Sequence, residues 1–84
     1  MTEAEALAAM LRSLGDVAPE VDATALDPDV LLQDQIDLDS MDFLSLVVGV
    51  NESTGIDIPE RDYPRLATLA SGAAYLAARA APPD

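Results

Sequence analysis

Residues 36–55 read IDLDSMDFLSLVVGVNESTG. A short polar residue, Asp39 or Ser40, stands where an apolar helical pattern begins, and Gly55 stands where it ends. Aspartate and serine ahead of an apolar run are helix caps, and glycine is the favoured stop. The stretch therefore predicts a helix from Ser40 to Ser53 that closes at Gly55. At about 100° per residue, Phe43, Leu46, Val47 and Val50 fall in one apolar stripe. Met41, Leu44 and Val48 fall in a second, about 140° further around the axis. Asp42, Ser45, Gly49, Glu52 and Ser53 lie between them. One stripe must face a core. The other is either covered by the first helix or the long loop, or left partly exposed beside Ser40 to dock against partners. Its position directly below the helix start favours exposure.

Outward from this helix the chain reads as all-α. Residues 3 to 14 place Leu7, Met10, Leu11 and Leu14 at helical spacing, with acids at the start and Gly15 as a stop. Residues 16 to 39 break the pattern with Pro19, Pro28 and several aspartates. That is long for a connection in a small domain, and Asp27-Pro28-Asp29-Val30-Leu31 is suited to a helical turn within it. Ile56 and Ile58 form a brief extended stretch closed by Pro59. Glu60 to Arg65 allows a turn or two, interrupted by Pro64. Thr68 caps a last helix whose Leu69, Ala70, Ala73, Leu76 and Ala77 share a face. The expectation is one domain over residues 1–84, a small four-helix bundle. It has three main helices, one short helix and a long loop between the first and second. Residues 1–2 and 81–84 are expected to be frayed ends.

Composition narrows the function. The 84 residues suit one small domain, and only Phe43, Tyr63 and Tyr75 are aromatic, so the core must be aliphatic. Sixteen acids against four arginines give a formal charge of −12. Nucleic acid and anionic membranes are polyanions and are excluded as electrostatic partners; partners with basic surfaces are favoured. The start, MTEAEALAAMLRSLG, is acidic and amphipathic and does not read as a secretory signal. No apolar run reaches membrane-spanning length, so no membrane insertion and a cytoplasmic location are expected.

Ser40 admits three readings. A nucleophilic serine needs a base poised near neutral pH, and the chain has no histidine or lysine. Asp39 and Asp42, with an unperturbed pKa of about 3.9, are poor bases for a hydroxyl. No catalytic residue is assigned. A second reading makes Asp39 or Ser40 a plain helix cap. In the third, Ser40 is a substrate, since a helix N-terminus accommodates a phosphate ester. The flanking aspartates then attract a basic enzyme or hold its metal ion. A calcium loop counted from Asp37 fails, with Met41 fifth, Asp42 in place of glycine sixth and Val48 in place of glutamate twelfth. No resident metal site is assigned.

The stretch LDSMDFLSLVVGVNESTGIDIPERDYPRLATLASGAAYL resembles the acyl carrier proteins, small acidic four-helix bundles. The likeness rests on Asp39-Ser40-Met41-Asp42 and the fourteen-residue helix they open. Ile58-Pro59, a short acidic turn, the Thr68 helix start and the Tyr75-Leu76 ending continue it. It runs without a gap from Ser40 to Leu76 and covers residues 3 to 80. The resemblance implies that Ser40 receives 4′-phosphopantetheine from coenzyme A through a separate phosphopantetheinyl transferase. The arm's thiol then carries acyl groups as thioesters between acyl-loading and acyl-transferring or condensing enzymes. It further implies that Asp39 and Asp42 contact the transferase or its metal ion. Met41, Asp42, Leu44 and Val48 become the docking face. Leu46, Val50, Leu66 and Leu69 become candidates for a pocket sheltering the acyl chain, although a plain core explains those four equally well.

A freestanding, monomeric carrier is expected, and the departures from the family pattern imply that it is dedicated to a specialised pathway (polyketide, lipid or other secondary). Asp37 replaces the usual glycine of the loop, Ser45 and Asn51 stand where glutamate is common, and Tyr63-Pro64 fill the acidic turn. A peptidyl or aminoacyl carrier is the neighbouring alternative, although those more often place glycine at Asp39. An unmodified acidic interaction module, with Ser40 a cap or phosphorylation site, is the alternative from another class. A charge of −12 also implies self-repulsion in the folded state. Raising ionic strength or adding divalent cations is expected to raise the melting temperature followed by circular dichroism. A melting temperature unmoved by both contradicts it.

Overall fold

A computed structural model describes residues 1–80. In chain order it contains helix α1 (Glu3–Val17), a 3-10 turn (Ala23–Ala25) and the single-turn α2 (Leu32–Gln35). Helix α3 (Ser40–Thr54), a 3-10 helix (Glu60–Leu66) and α4 (Leu69–Arg79) follow. Among the described residues there is no strand. Three long helices and one short one form the all-α bundle expected. The frayed end expected for residues 81–84 lies outside the described residues.

The start of the chain is more ordered than expected. Thr2 caps α1: its Oγ1 accepts the Glu5 N–H at 3.1 Å, and the Glu5 carboxylate accepts the Thr2 N–H at 2.8 Å. This reciprocal pair satisfies two donors that a helix start leaves free. The bond from the Thr2 N–H, followed by the interaction with the Thr2 hydroxyl, holds the Glu5 carboxyl below its ordinary value. At its other end α1 runs through Gly15 to Val17, where the Ala18 N–H closes on the Leu14 carbonyl at 2.8 Å. Glycine inside a helix costs only about 1 kcal/mol, and continuing the helix packs Val17 and Ala18 against the core. That contact overrides the stop.

The helical turn of the long loop is displaced from its expected place. Asp27 Oδ1 accepts the Asp29 N–H at 2.9 Å, and the Val30 N–H meets the Asp27 carbonyl at 3.3 Å. Asp27 thus makes a local turn, as short polar side chains readily do, and the helical turn starts only at Leu32. Gln35 brackets the turn, accepting from the Asp27 N–H and donating to the carbonyls of Asp27 and Val30. Two backbone bonds fasten the loop to the end of the Glu60–Leu66 helix and the start of α4: Leu32 N–H to the Ala67 carbonyl at 2.8 Å, and Ala70 N–H to the Pro28 carbonyl at 2.9 Å. The second supplies a partner to a donor in the first turn of α4. Leu32 and Leu38, both from the loop, are buried.

The core is one aliphatic cluster. Met10, Leu32, Leu46, Val50, Leu66 and Leu76 are its largest fully buried members, with Phe43, Tyr63 and Tyr75 packed around it. Helices α1 and α3 approach closely at Gly49, where an added Cβ would stand 3.0 Å from Ser13 Oγ. Helix α3 ends at Gly55 in the left-handed region (φ 72°), its N–H on the Asn51 carbonyl. Left-handed geometry suits glycine because it has no Cβ to clash. The Asn51 amide then holds the Ile56 carbonyl and sets the exit direction.

Pro64 does not interrupt the following turn, which continues to Leu66. Proline's fixed φ suits a 3-10 helix, and only its own missing N–H is forfeited. Helix α4 steadies this segment: Tyr75 donates to Asp62 at 2.7 Å, and Arg79 donates to the Asp57 carbonyl at 3.1 Å. Burial, then the bond to Asp62, pushes the Tyr75 phenol above its ordinary value. Thr68 caps α4 as expected, accepting the Ser71 N–H at 3.1 Å. Leu66→Ala is expected to destabilise the fold by about 2–5 kcal/mol in urea titration. Exposed Met41→Ala should stay within about 0.5 kcal/mol.

Candidate functional site

Ser40 is the first residue of α3, and the cap is Asp39. The Asp39 Oδ1 accepts the Asp42 N–H at 2.8 Å, and the first intrahelical bond runs from the Phe43 N–H to the Asp39 carbonyl at 2.9 Å. Of the two candidate caps, the aspartate takes the role and Ser40 is released from it. Asp39 and Ser40 are both exposed, and Asp42 is half-buried one turn on. The N–H groups of Ser40 and Met41 lie ahead of the first intrahelical bond, at the positive end of the helix dipole. One residue was missed by sequence reasoning. Leu38 is buried and pins the chain two residues before Ser40. Its only signal was a lone apolar residue between two aspartates.

The helical stripes separate as the wheel requires. Leu46, Val47 and Val50 are buried and Phe43 is half-buried against the core. Met41, Leu44 and Val48 are 77%, 47% and 46% exposed. Exposed residues of this size and spacing form a continuous apolar strip on a helix that must otherwise be solvated. Asn51, which stands where the family pattern often has glutamate, donates its amide to the Ile56 carbonyl.

The four residues considered for an acyl pocket all join the single core cluster. Leu46, Val50 and Leu66 are fully buried. Leu69 lines a cavity of about 240 Å³ with Ala4, Leu7, Pro28 and Ala73, on the α1–α4 side. A second cavity of about 180 Å³ lies between α3 and the segment after it, lined by Val47, Val48, Asn51, Asp57, Ile58 and Tyr63. Among the described residues no cluster of three or more His, Cys, Asp or Glu is arranged to hold a metal ion. No helix among them is long and apolar enough to cross a membrane.

A family profile described as "Phosphopantetheine attachment site" matches residues 5–76, most of the chain. This chain belongs to the acyl carrier protein family. An acyl carrier protein of Lactobacillus johnsonii is 29% identical over 79 residues, 90% of this chain and 94% of that protein. An acyl carrier protein of Renibacterium salmoninarum is 30% identical over 71 residues, 84% of this chain and 83% of that protein. No solved structure gives a significant match. The family's members are non-catalytic carriers, and their prosthetic group is a covalently attached 4′-phosphopantetheine.

The division of labour at the head of α3 in this carrier protein is testable without any partner. Asp39→Ala is expected to cost about 1 kcal/mol of stability through loss of the cap. Ser40→Ala, removing a side chain that caps nothing, should leave stability within about 0.5 kcal/mol in the same denaturant titration. The reverse ranking would return the cap to the serine.

Proposed function

We propose that Ser40 is the attachment residue of the phosphopantetheine arm, and that residues 1–84 form a single carrier domain serving separate enzymes. The observation that carries this reading is the exposed Ser40 hydroxyl in the first turn of α3, with the capping role taken by its neighbour. The site fits a phosphodiester: the leading N–H groups and the helix dipole face the anion, and nothing buries the oxygen. When bound, the arm supplies a thiol that holds acyl groups as thioesters.

This chain's own residues act passively. In the attachment step Ser40 Oγ would give up its proton to a base of the transferase and form the ester bond to the pantetheine-side phosphorus of coenzyme A, while the pyrophosphate bond to that phosphorus breaks and adenosine 3′,5′-bisphosphate leaves. The base must come from the transferase because this chain has no histidine or lysine. Without a base beside it, the ester is not hydrolysed by its own carrier. Asp39 keeps one carboxylate oxygen on the helix cap and offers the other to the transferase or its metal ion. Met41, Leu44 and Val48 dock against partner enzymes, with Asp42 adding charge for their basic surfaces. The partners are the phosphopantetheinyl transferase and the acyl-loading, acyl-transferring or condensing enzymes of a specialised pathway. Both relatives are acyl carrier proteins, which supports acyl cargo over aminoacyl cargo.

Incubation with coenzyme A and a broad-specificity phosphopantetheinyl transferase is expected to add about 340 Da to the intact mass. Ser40→Ala should show no gain. A wild-type protein that stays unmodified, or a gain retained by Ser40→Ala, defeats the assignment.

A further inference from the structure

The large apolar side chains left exposed among the described residues fall into two sets. Met41, Leu44 and Val48 form the strip on α3. Met1, Val30 and Leu31 lie at the start of the chain and in the long loop, and the carrier reading gives them no task. In sequence they flank residues of the larger cavity: Met1 stands just before Glu3, and Val30 just beyond Pro28. That cavity is an open groove of about 240 Å³. Buried Leu69 and Ala73 of α4 make its floor, half-buried Leu7 and Ala70 its sides, and exposed Ala4 and Pro28 its rim. No residue of α3 lines it, so a side chain seated there covers neither Ser40 nor the strip.

The dimensions of the groove select its occupant. The volume is below the ~300–1,000 Å³ of most small-molecule pockets and suits one or two side chains. Its lining runs from Ala4 to Leu7 on α1 and from Leu69 to Ala73 on α4. At 1.5 Å per residue that is about 4.5–6 Å of each axis. Side chains three and four apart on an incoming helix are about 5–6 Å apart and match that length. An extended peptide relies on main-chain bonds to a sheet edge, and no strand is present among the described residues. The rim selects the charge. Glu3 lines the groove, and exposed Asp27 and Asp29 flank Pro28. No arginine lines it, and the one ion pair among the described residues is Arg79 with Asp62. A second copy of this chain, at −12, is repelled from such a rim.

We infer that this groove docks a basic amphipathic helix of a partner protein. One apolar side chain, or a pair a turn apart, seats against Leu69 and Ala73, while lysine or arginine beside it meets Glu3, Asp27 and Asp29. Such a partner holds the carrier by a surface distinct from the α3 strip, so Ser40 stays open to visiting enzymes. The inference goes beyond the carrier reading, and docking here does not require Ser40 to be modified. It is tested on the whole chain by amide-resolved NMR with a capped peptide of roughly 14 residues, leucine on one helical face and lysine on the other. The amides of Ala4, Leu7, Ala70 and Ala73 are expected to shift saturably. The same peptide with glutamate for lysine should shift none of them. Glu3→Gln combined with Asp29→Asn keeps the side-chain shapes and is expected to weaken groove binding about fivefold, through loss of two exposed charge pairs. Ala4→Arg, which sets a cation on the exposed rim, should weaken it at least as much, with circular dichroism unchanged.

Shifts confined to Met41, Leu44 and Val48 put the peptide on the strip and overturn the inference, as does the absence of any shift. Equal binding by the glutamate peptide, or an affinity unmoved in the double variant, overturns the assigned chemistry and the inference with it. Groove amides that shift with protein concentration alone assign the groove to a second copy and overturn it too. None of these outcomes touches attachment at Ser40, which the mass gain decides separately.

Discussion

The bond from the Asp42 amide to the Asp39 carboxylate decides where α3 begins, and the rest of the site depends on that starting point. A helix that began one residue later would turn Ser40 into the cap and occupy its hydroxyl. With Asp39 in that role, Ser40 falls in the first turn and is exposed, at the end of the helix where the leading N–H groups have no intrahelical partner. The same origin sets the rotation of the helix. Leu46, Val47 and Val50 then face inward, so Met41, Leu44 and Val48 must face solvent along one strip. Leu38 reinforces the origin from the loop side, since its burial holds the backbone just before the cap. One local hydrogen bond and one buried leucine thus place both the Ser40 hydroxyl and the apolar strip beside it.

The bundle supports this arrangement with an aliphatic core and few strong interactions. Among the described residues the one ion pair is Arg79 with Asp62 at 4.0 Å, too long and too exposed to contribute much. Its neighbourhood matters more through neutral bonds: Tyr75 to Asp62, and Arg79 to the Asp57 carbonyl. These tie the C-terminal half of α4 to the segment that carries Asp57, Ile58 and Tyr63. The far end of the molecule therefore holds one wall of the cavity whose other wall is α3. Packing, capping and site geometry are linked through the same short 3-10 helix.

Much of this was legible in the chain because its signals were periodic or chemically specific. Leu7, Met10, Leu11 and Leu14 announce α1; the two stripes announce α3; Thr68 and Gly55 mark an entry and an exit that the structure keeps. What was not legible lacked a period. Leu32 and Leu38 enter the core from a loop in which no repeat points to burial. Gly15 carried a stop signal that the packing of Val17 and Ala18 outweighs, and Pro64 a break that a 3-10 helix absorbs. The Thr2–Glu5 pair has the spacing of a capping box, a signal masked by its place at a chain end. At the site, Asp39 and Ser40 were equivalent as caps on paper, and only backbone geometry separates them. The pocket residues were ambiguous for a related reason: Leu46, Val50 and Leu66 look alike whether they line a cavity or fill a core, and here they fill it.

The two backbone bonds that fasten the long loop to Ala67 and the start of α4 have a consequence of their own. Every residue carries a backbone carbonyl and every residue but proline a backbone N–H, so bonds of this kind make little demand on side-chain identity. Around Pro28 the route of the chain is therefore set by backbone geometry, whereas Leu32 is held by its buried side chain as well. Upstream, near the exposed turn at Ala23–Ala25, the length of the chain can vary, because slack added there is absorbed before the strap and never transmitted to the serine.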